Sequence, residues 1–455
     1  MSSKSFSILG KNIKAQSRAD LEPYISELEK FEDVEEVHFG GNSLGVEACQ
    51  AIAEVLKTKK SLKVADFADV FTGRLISEIP TALSAICDAL QSHTSLVELD
   101  LSDNAFGGRC ADAMVPFLEN NRHLQVFKLN NNGLGIWGGT VVAKALLENA
   151  KKSKAAGEES NLKTVVCGRN RLENGSAPYF AEAFAAHGNL VEVRLPQNGI
   201  RMEGIHALAQ GLSKCPKLES LDLQDNTCTE SGTRSISASL PSWPELRTLN
   251  LSDCLLSPKG GVSLATALEK GANPKIETLK LQYGEMDARA IHILAKAIQE
   301  HLSSLTTLEL NGNRADPEDE CIERIKDALA SHGHEDALDE LDDMEEPEDD
   351  EDETSEDEKE SSDEKADEVV EPVSKPIDSA DQYVITRSVC ESISLTAILL
   401  ETQAGWHARR SIDHPAVIVF DTISACIPRP SITTLSLTYQ SRRQLLPLRF
   451  AGHEE

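Results

Sequence analysis

One pattern recurs along most of this chain and restricts its fold more than any other feature: alternating apolar residues that end in a short polar strip. Aligned on the last apolar residue of the alternation, the copies read VEEVHFGGNSLG, LVELDLSDNAFG, LQVFKLNNNGLG, LKTVVCGRNRLE, LVEVRLPQNGIR, LESLDLQDNTCT, LRTLNLSDCLLS, IETLKLQYGEMD and LTTLELNGNRAD. A broken copy, LKVADFADVFTG, lies between the first two. The aligned positions are Phe39, Phe67, Leu101, Leu129, Cys167, Leu195, Leu223, Leu251, Leu281 and Leu310, most of them 28 to 30 residues apart. Two steps are longer, 34 residues before Leu101 and 38 before Cys167. KKSKAAGEES falls in the second; polar and rich in Lys, Ala and Glu, it is expected to be an exposed loop.

The spacing is that of leucine-rich repeats, L-x-x-L-x-L-x-x-N/C-x-L. Alternation gives a short strand with one buried face. The asparagine that follows (Asn42, Asn104, Asn132, Asn170, Asn198, Asn226, Asn313) turns the chain inward, and its amide can satisfy backbone groups that the turn leaves open. Apolar residues then return at helical spacing, as at Cys49, Ile52, Val55 and Leu56, or Ile205, Leu208 and Leu212. One such unit cannot cover its own apolar face, so the units must stack. The expected fold over residues 1–333 is an α/β leucine-rich-repeat solenoid, a crescent with a concave parallel sheet and convex helices. It has about 11 repeats of 28–30 residues if FSILGKNIK is taken as a degenerate first copy.

The position before the structural asparagine forms a second column: Gly41, Asp103, Asn131, Arg169, Gln197, Asp225, Asp253, Tyr283 and Gly312. These side chains fall on the strand-to-helix rim and do not belong to the repeat signature. Loops on a rigid scaffold are where binding groups concentrate. The broken copy departs from the rule in another way: its strip reads ADVFTG, and Arg74 follows the glycine.

Charge and composition narrow the function classes. The formal net charge is −30. Residues 335–371 carry 23 Asp/Glu against two Lys, so the repeats themselves are only mildly acidic. No basic stripe marks a nucleic-acid binder. The ten cysteines are scattered, without C-x-x-C or metal-ligand spacing, and read as buried reduced thiols of a reducing compartment. No signal-peptide core opens the sequence, and no apolar run reaches the ~20 residues that span a bilayer. Phosphate-binding loops, zinc-protease and nucleophile-elbow motifs are missing. The chain is therefore expected to bind another macromolecule, to use no cofactor and to catalyse nothing alone.

The polar strips carry a more specific likeness. DVFTGR (Asp69–Arg74), LSDNAFG (Leu101–Gly107), NNGLG (Asn131–Gly135), CGRNRLENGS (Cys167–Ser176), QNGIR (Gln197–Arg201), LDLQDNT (Leu221–Thr227), DCLLS (Asp253–Ser257) and LELNGNR (Leu308–Arg314) resemble the Ran GTPase-activating protein family, as does the acid entry ALDELDDMEE from Ala337. The likeness covers roughly residues 1–365. It implies a protein that binds the GTPase Ran in its GTP form, in some settings with a Ran-binding protein, and stimulates hydrolysis of the bound GTP; GTP and magnesium belong to Ran. An arginine supplied in trans is worth ~10³–10⁵ in rate to a GTPase, which makes Arg74 a catalytic candidate on chemistry alone. The resemblance instead implies that Ran's own catalytic glutamine is ordered against the attacking water, helped by the residue matching Asn131. Arg74 then anchors Ran or orders neighbouring residues. Asp103, Arg169, Arg171, Arg201 and Asp225 are candidate Ran contacts. Two departures stand out: Ile76, where the family often carries Lys, and Gly284 in place of the turn asparagine.

The resemblance also implies a cytoplasmic, perinuclear protein serving nucleocytoplasmic transport; a capped solenoid is expected to be monomeric. Residues 334–375 read as a disordered acidic tail on low hydrophobicity and high charge. Residues 376–455 lose the repeat register and read as a non-repeat extension without reliable structure, favoured as an out-of-frame or non-coding translation. The alternative class is a non-catalytic binding scaffold of ribonuclease-inhibitor type. That type is richer in cysteine and lacks a break like DVFTGR. An acidic leucine-rich histone chaperone is a third class, with fewer repeats.

Overall fold

The structure, a computed structural model, describes residues 4–345. The acidic segment beyond 345 and the extension 376–455 lie outside the described residues. Eleven three-residue strands, from Ser5–Ser7 to Thr307–Glu309, pair in parallel in strict chain order to form one sheet. FSILGKNIK supplies the first, so the degenerate copy is a true repeat. The middle residue of each strand points into the core: Phe6, Val37, Ala65, Leu99, Phe127, Val165, Val193, Leu221, Leu249, Leu279 and Leu308 are all essentially buried. Helices return from each strand, with the expected stripes facing the sheet: Cys49, Ile52, Val55 and Leu56 on Val46–Leu56, and Ile205, Leu208 and Leu212 on Met202–Leu212. The apolar faces merge into one continuous core, in which the Phe39 and Phe67 rings stack 5.0 Å apart across neighbouring repeats.

The turn asparagines form a ladder. Asn132 donates through Nδ2 to Leu101 O at 3.0 Å in the preceding repeat and to Leu129 O at 3.2 Å in its own, while its Oδ1 accepts from Asn104 N at 3.0 Å. Asn42, Asn104, Asn170, Asn198, Asn226 and Asn313 reach the preceding repeat in the same way. Each is buried, so each amide answers backbone groups that water cannot reach. Cys254 stands in with a weaker Sγ donor to Leu223 O at 3.1 Å.

A second ladder runs along the opposite edge and has no sequence signature. Helix C-termini leave carbonyls open, and here a side chain from the following repeat answers them. Lys59 Nζ reaches Glu29 O and Phe31 O at 2.9 and 2.7 Å, and His93 Nε2 reaches Leu56 O at 2.9 Å. Asn121, Asn149, Cys215, Trp243 and Asn273 continue the series. Burial holds the Lys59 and His93 pKa values below their ordinary ones.

Two segments differ from the sequence expectation. KKSKA does not form a loop: it prolongs the helix Gly135–Ala155, as Lys and Ala favour. Residues 334–345, assigned above to the acidic tail, instead close the sheet. Leu308 N donates to Ala337 O at 2.7 Å, and the Asp339 carboxylate accepts from Leu310 N at 2.8 Å and Asn311 N at 3.2 Å. An open sheet edge is a template for aggregation; here it is covered by an irregular segment that makes isolated parallel bridges, Leu338 to Leu308 and Glu345 to Arg314. Glu345 N still bonds Asn313 O at 2.9 Å.

Candidate functional site

The rim column has a backbone reason as well as a position. Asp69, Asp103, Asn131, Arg169, Gln197, Asp225, Asp253 and Tyr283 all have φ between 49° and 60°, and Gly41 and Gly312 have φ of 70° and 72°. The left-handed region suits Gly, Asn and Asp, and costs other residues roughly 1–2 kcal/mol. The column is therefore not free of the repeat, contrary to the sequence reading. Aspartate and asparagine serve the turn whatever else they do, whereas Arg169, Gln197 and Tyr283 occupy it at a cost to stability.

At the break, Val70 takes the place of the ladder asparagine and has no amide to send back. The ladder bridges the gap from the other side: Asn104 Oδ1 accepts from both Val70 N at 2.8 Å and Phe71 N at 3.1 Å. Arg74 supplies the tie to the earlier repeats. Its guanidinium Nη2 donates to Ala15 O at 2.8 Å and to Ser43 O. Those carbonyls belong to the short parallel pair Lys14–Ala15 and Ser43–Leu44. Gly45 is small because a Cβ there would come 3.1 Å from Arg74 Nη1 and closer still to Gln16. The Asp20 carboxyl nearby is held below its usual pKa by the Ser17 and Gln16 backbone N–H groups, with the Arg74 charge adding to them. Arg74 is thus half-buried and turned inward, while Leu75 and Ile76 stand 66% and 48% exposed on the loop it pins.

Asn131 lies two repeats on. Its Nδ2 donates to Asp103 Oδ1 at 3.0 Å, which links two of the candidate residues across adjacent turns. Asp103 is exposed and Asn131 partly so. Arg169 and Arg171 follow in the next repeat, with Arg201 one repeat further, all exposed. No hydrogen bond or ion pair engages these three guanidinium groups among the described residues. Asp225 is set apart, in a shallow groove that it lines with Gln197, Thr227, Asp253, Leu255 and Tyr283. The structure thus brings Asp103 to Asn131 and Arg169 near Arg171, and leaves Arg74 and Asp225 in separate sectors.

Sequence reading missed several features of this surface. Trp137 and Ile136 stand 56% and 42% exposed at the start of the helix Gly135–Ala155, and Ile136 packs where a Gly175 side chain would clash. A tryptophan outside the apolar register of GIWGG was the available signal. The Tyr283 hydroxyl donates to Asp343 Oδ2 at 3.0 Å, a bond that also holds its pKa above the usual value. Nothing local in the sequence points to that pairing. The eight described cysteines are free and buried, and burial pushes Cys49 and Cys167 up to about 12. Among the described residues no helix is long and apolar enough to cross a membrane, and no group of His, Cys, Asp or Glu is arranged to hold a metal ion.

Stacked strand, asparagine turn and helix, with a polar rim on the turns, define a leucine-rich-repeat protein. The Leucine Rich repeat family model matches residues 92–114 and 245–265. Ran GTPase-activating protein 1 of Saccharomyces cerevisiae is 36% identical over 330 residues, covering 70% of this chain and 81% of that protein. Ran GTPase-activating protein 1 of Xenopus laevis is 48% identical over 197 residues, 43% of this chain, and Ran GTPase-activating protein 2 of Caenorhabditis elegans 45% over 201 residues, 44% of this chain. The match spans 34% and 21% of the lengths of those two animal proteins. The chain belongs to the Ran GTPase-activating protein family.

Proposed function

We propose that this chain stimulates hydrolysis of GTP bound to Ran, binding Ran in its GTP form along the strand-to-helix rim. It acts in the cytoplasm and at the nuclear periphery, keeps Ran·GTP low there for nucleocytoplasmic transport, and works as a monomer with a Ran-binding protein as accessory partner. It holds no nucleotide of its own. Its contribution is to order Ran's catalytic glutamine against the attacking water, with Asn131 as the group that holds the glutamine. Ordering a group already in the active site removes an entropic part of the barrier without adding charge.

One observation carries this over an inserted arginine: Arg74 spends its Nη2 on the carbonyls of Ala15 and Ser43, whereas Asn131 stands on the rim with amide capacity to spare. A finger would have to abandon two hydrogen bonds to backbone carbonyls and leave them unanswered. In this reading Arg74 fixes the loop that bears Leu75 and Ile76, and Arg169, Arg171, Arg201 and Asp225 are charged contacts that steer and hold Ran.

Single-turnover hydrolysis of Ran-bound GTP by the wild type, Arg74→Ala and Asn131→Ala tests it. Acceleration by the wild type, with loss in both variants, is expected. A wild type that binds Ran·GTP without accelerating its hydrolysis would be a scaffold.

A further inference from the structure

We infer that Asp103 is a positioning residue that sets which way the Asn131 amide faces. A carboxylate only accepts hydrogen bonds at neutral pH, so the group that Asn131 turns toward Asp103 at 3.0 Å is its NH2. The carbonyl Oδ1 is thereby turned away from Asp103. It has no partner among the described residues and is not a buried orphan. An asparagine without such a neighbour exchanges donor and acceptor by a flip that costs little sterically.

The backbones on both sides of this bond are already fixed. Asp103 N donates to Asn130 O at 2.8 Å, Asn131 N donates to Gly168 O at 2.9 Å, and the ladder holds Asn104 to Asn132. Little beyond the amide orientation remains to be chosen, and Asp103 chooses it. Among the described residues this is the one side-chain hydrogen bond between neighbouring members of the rim column. Elsewhere the column pairs acid with acid, as at Asp225 and Asp253, or packs without a hydrogen bond, as the Tyr283 ring does against Gly312.

An oxygen held outward in this way selects a partner group that donates. The NH2 of a glutamine side chain is such a group, and fixing it leaves the glutamine's own carbonyl free to accept from water. The identity of that donor rests on the function proposed above; the Asp103–Asn131 bond does not.

Two measurements on the full chain test the assignment. Asp103→Gly removes the carboxylate yet suits the left-handed turn, as Gly41 and Gly312 do in the same column. Asp103→Asn keeps an acceptor oxygen. With ¹⁵N-labelled asparagine side chains, one Asn131 Nδ2 proton should be shifted downfield, as a proton donated to a carboxylate is, and the shift should vanish in Asp103→Gly. In single-turnover hydrolysis of Ran-bound GTP, Asp103→Gly should lower the maximal rate about ten- to a hundredfold, the worth of one charge-assisted hydrogen bond, at unchanged half-saturation. Asp103→Asn should recover most of it, and Asp103→Gly combined with Asn131→Ala should be no slower than Asn131→Ala alone. An Asn131 resonance indifferent to Asp103 overturns the inference. So does an effect confined to half-saturation, which would make Asp103 a direct contact. If the wild type fails to accelerate hydrolysis, the proposed function falls, and the resonance still decides the pairing.

Discussion

Tyr283 donates its hydroxyl to the Asp343 carboxylate at 3.0 Å, joining a rim turn to a segment 60 residues later whose composition reads as tail. With Asp339 across the last strand, this bond makes residues 337–345 part of the repeat unit. Truncation after 333 should therefore expose the Leu308 and Leu310 N–H groups and lower the unfolding midpoint, whereas truncation after 345 should leave it unchanged. Asp339→Ala should cost about 1–3 kcal/mol, because it orphans two backbone donors at a covered edge. Urea unfolding and light scattering would measure both. Equal midpoints for the two truncations would remove the cap from this account.

Asn131 and Asn132 are neighbours with opposite predicted phenotypes. Asn132→Ala strips the ladder of bonds to Leu101 O, Leu129 O and Asn104 N inside a buried layer. Destabilisation of about 3 kcal/mol or more is expected, with any loss of activity following loss of fold. Asn131→Ala should cost only the roughly 1–2 kcal/mol of a left-handed alanine, and abolish activation. Parallel denaturation and hydrolysis curves for the two variants would expose a failure of this separation.

Arg74→Ala should loosen the loop locally. Amide exchange across residues 68–78 is expected to rise, while the helices beyond Leu90 keep their protection. Global stability should fall by about 1–3 kcal/mol, since two charge-assisted bonds to backbone carbonyls are lost at a half-buried site. Arg74→Lys should rescue this only in part, because a tetrahedral ammonium does not reproduce the two in-plane N–H bonds that Nη2 directs to the two carbonyls. Unchanged exchange in the Ala variant would assign Arg74 to the partner instead.

Acid should destabilise the repeat unit through its buried imidazoles. Burial pushes His187 down to about 4 and lowers His93 as well. A histidine whose folded pKa lies below its unfolded one binds its proton preferentially in the unfolded chain. The stability present above the unfolded value near 6.5 is therefore lost as pH falls through that value toward 4. His187 accounts for on the order of 3 kcal/mol of that loss. Asparagine removes the titratable ring, so His187→Asn should flatten the dependence of the melting temperature on pH between 6.5 and 4. An unaltered slope would mean that His187 opens to solvent before it titrates.

The parts legible in the sequence were those with a period. Leucine alternation and the turn asparagines gave strand, turn and helix in register, because each repeat meets the same packing problem and solves it with the same residues. The edge ladder through Lys59, His93, Asn121, Cys215 and Trp243 escaped notice because five residue types answer one geometric demand. Polarity alone makes KKSKA look like a loop, although its helix propensity points the other way. Arg74 was visible as an anomaly, but its inward turn depends on carbonyls 59 and 31 residues earlier. Local sequence does not carry contacts of that range. Asp103 and Asn131 share one column in adjacent repeats, so their proximity is legible in the alignment, whereas the hydrogen bond between them is not.

The left-handed turn that recurs in every repeat also limits how this surface can change. Aspartate, asparagine and glycine fit it, and all three are short. Evolution can therefore exchange charge for amide, or amide for nothing, along the rim without disturbing the scaffold, but it can seldom install long side chains there. Apart from Arg169, Gln197 and Tyr283, the column is a surface of stubby groups that lies close to its own backbone. Most of the reaching across such an interface must then be done by the visitor, whose longer side chains have to come down to the rim.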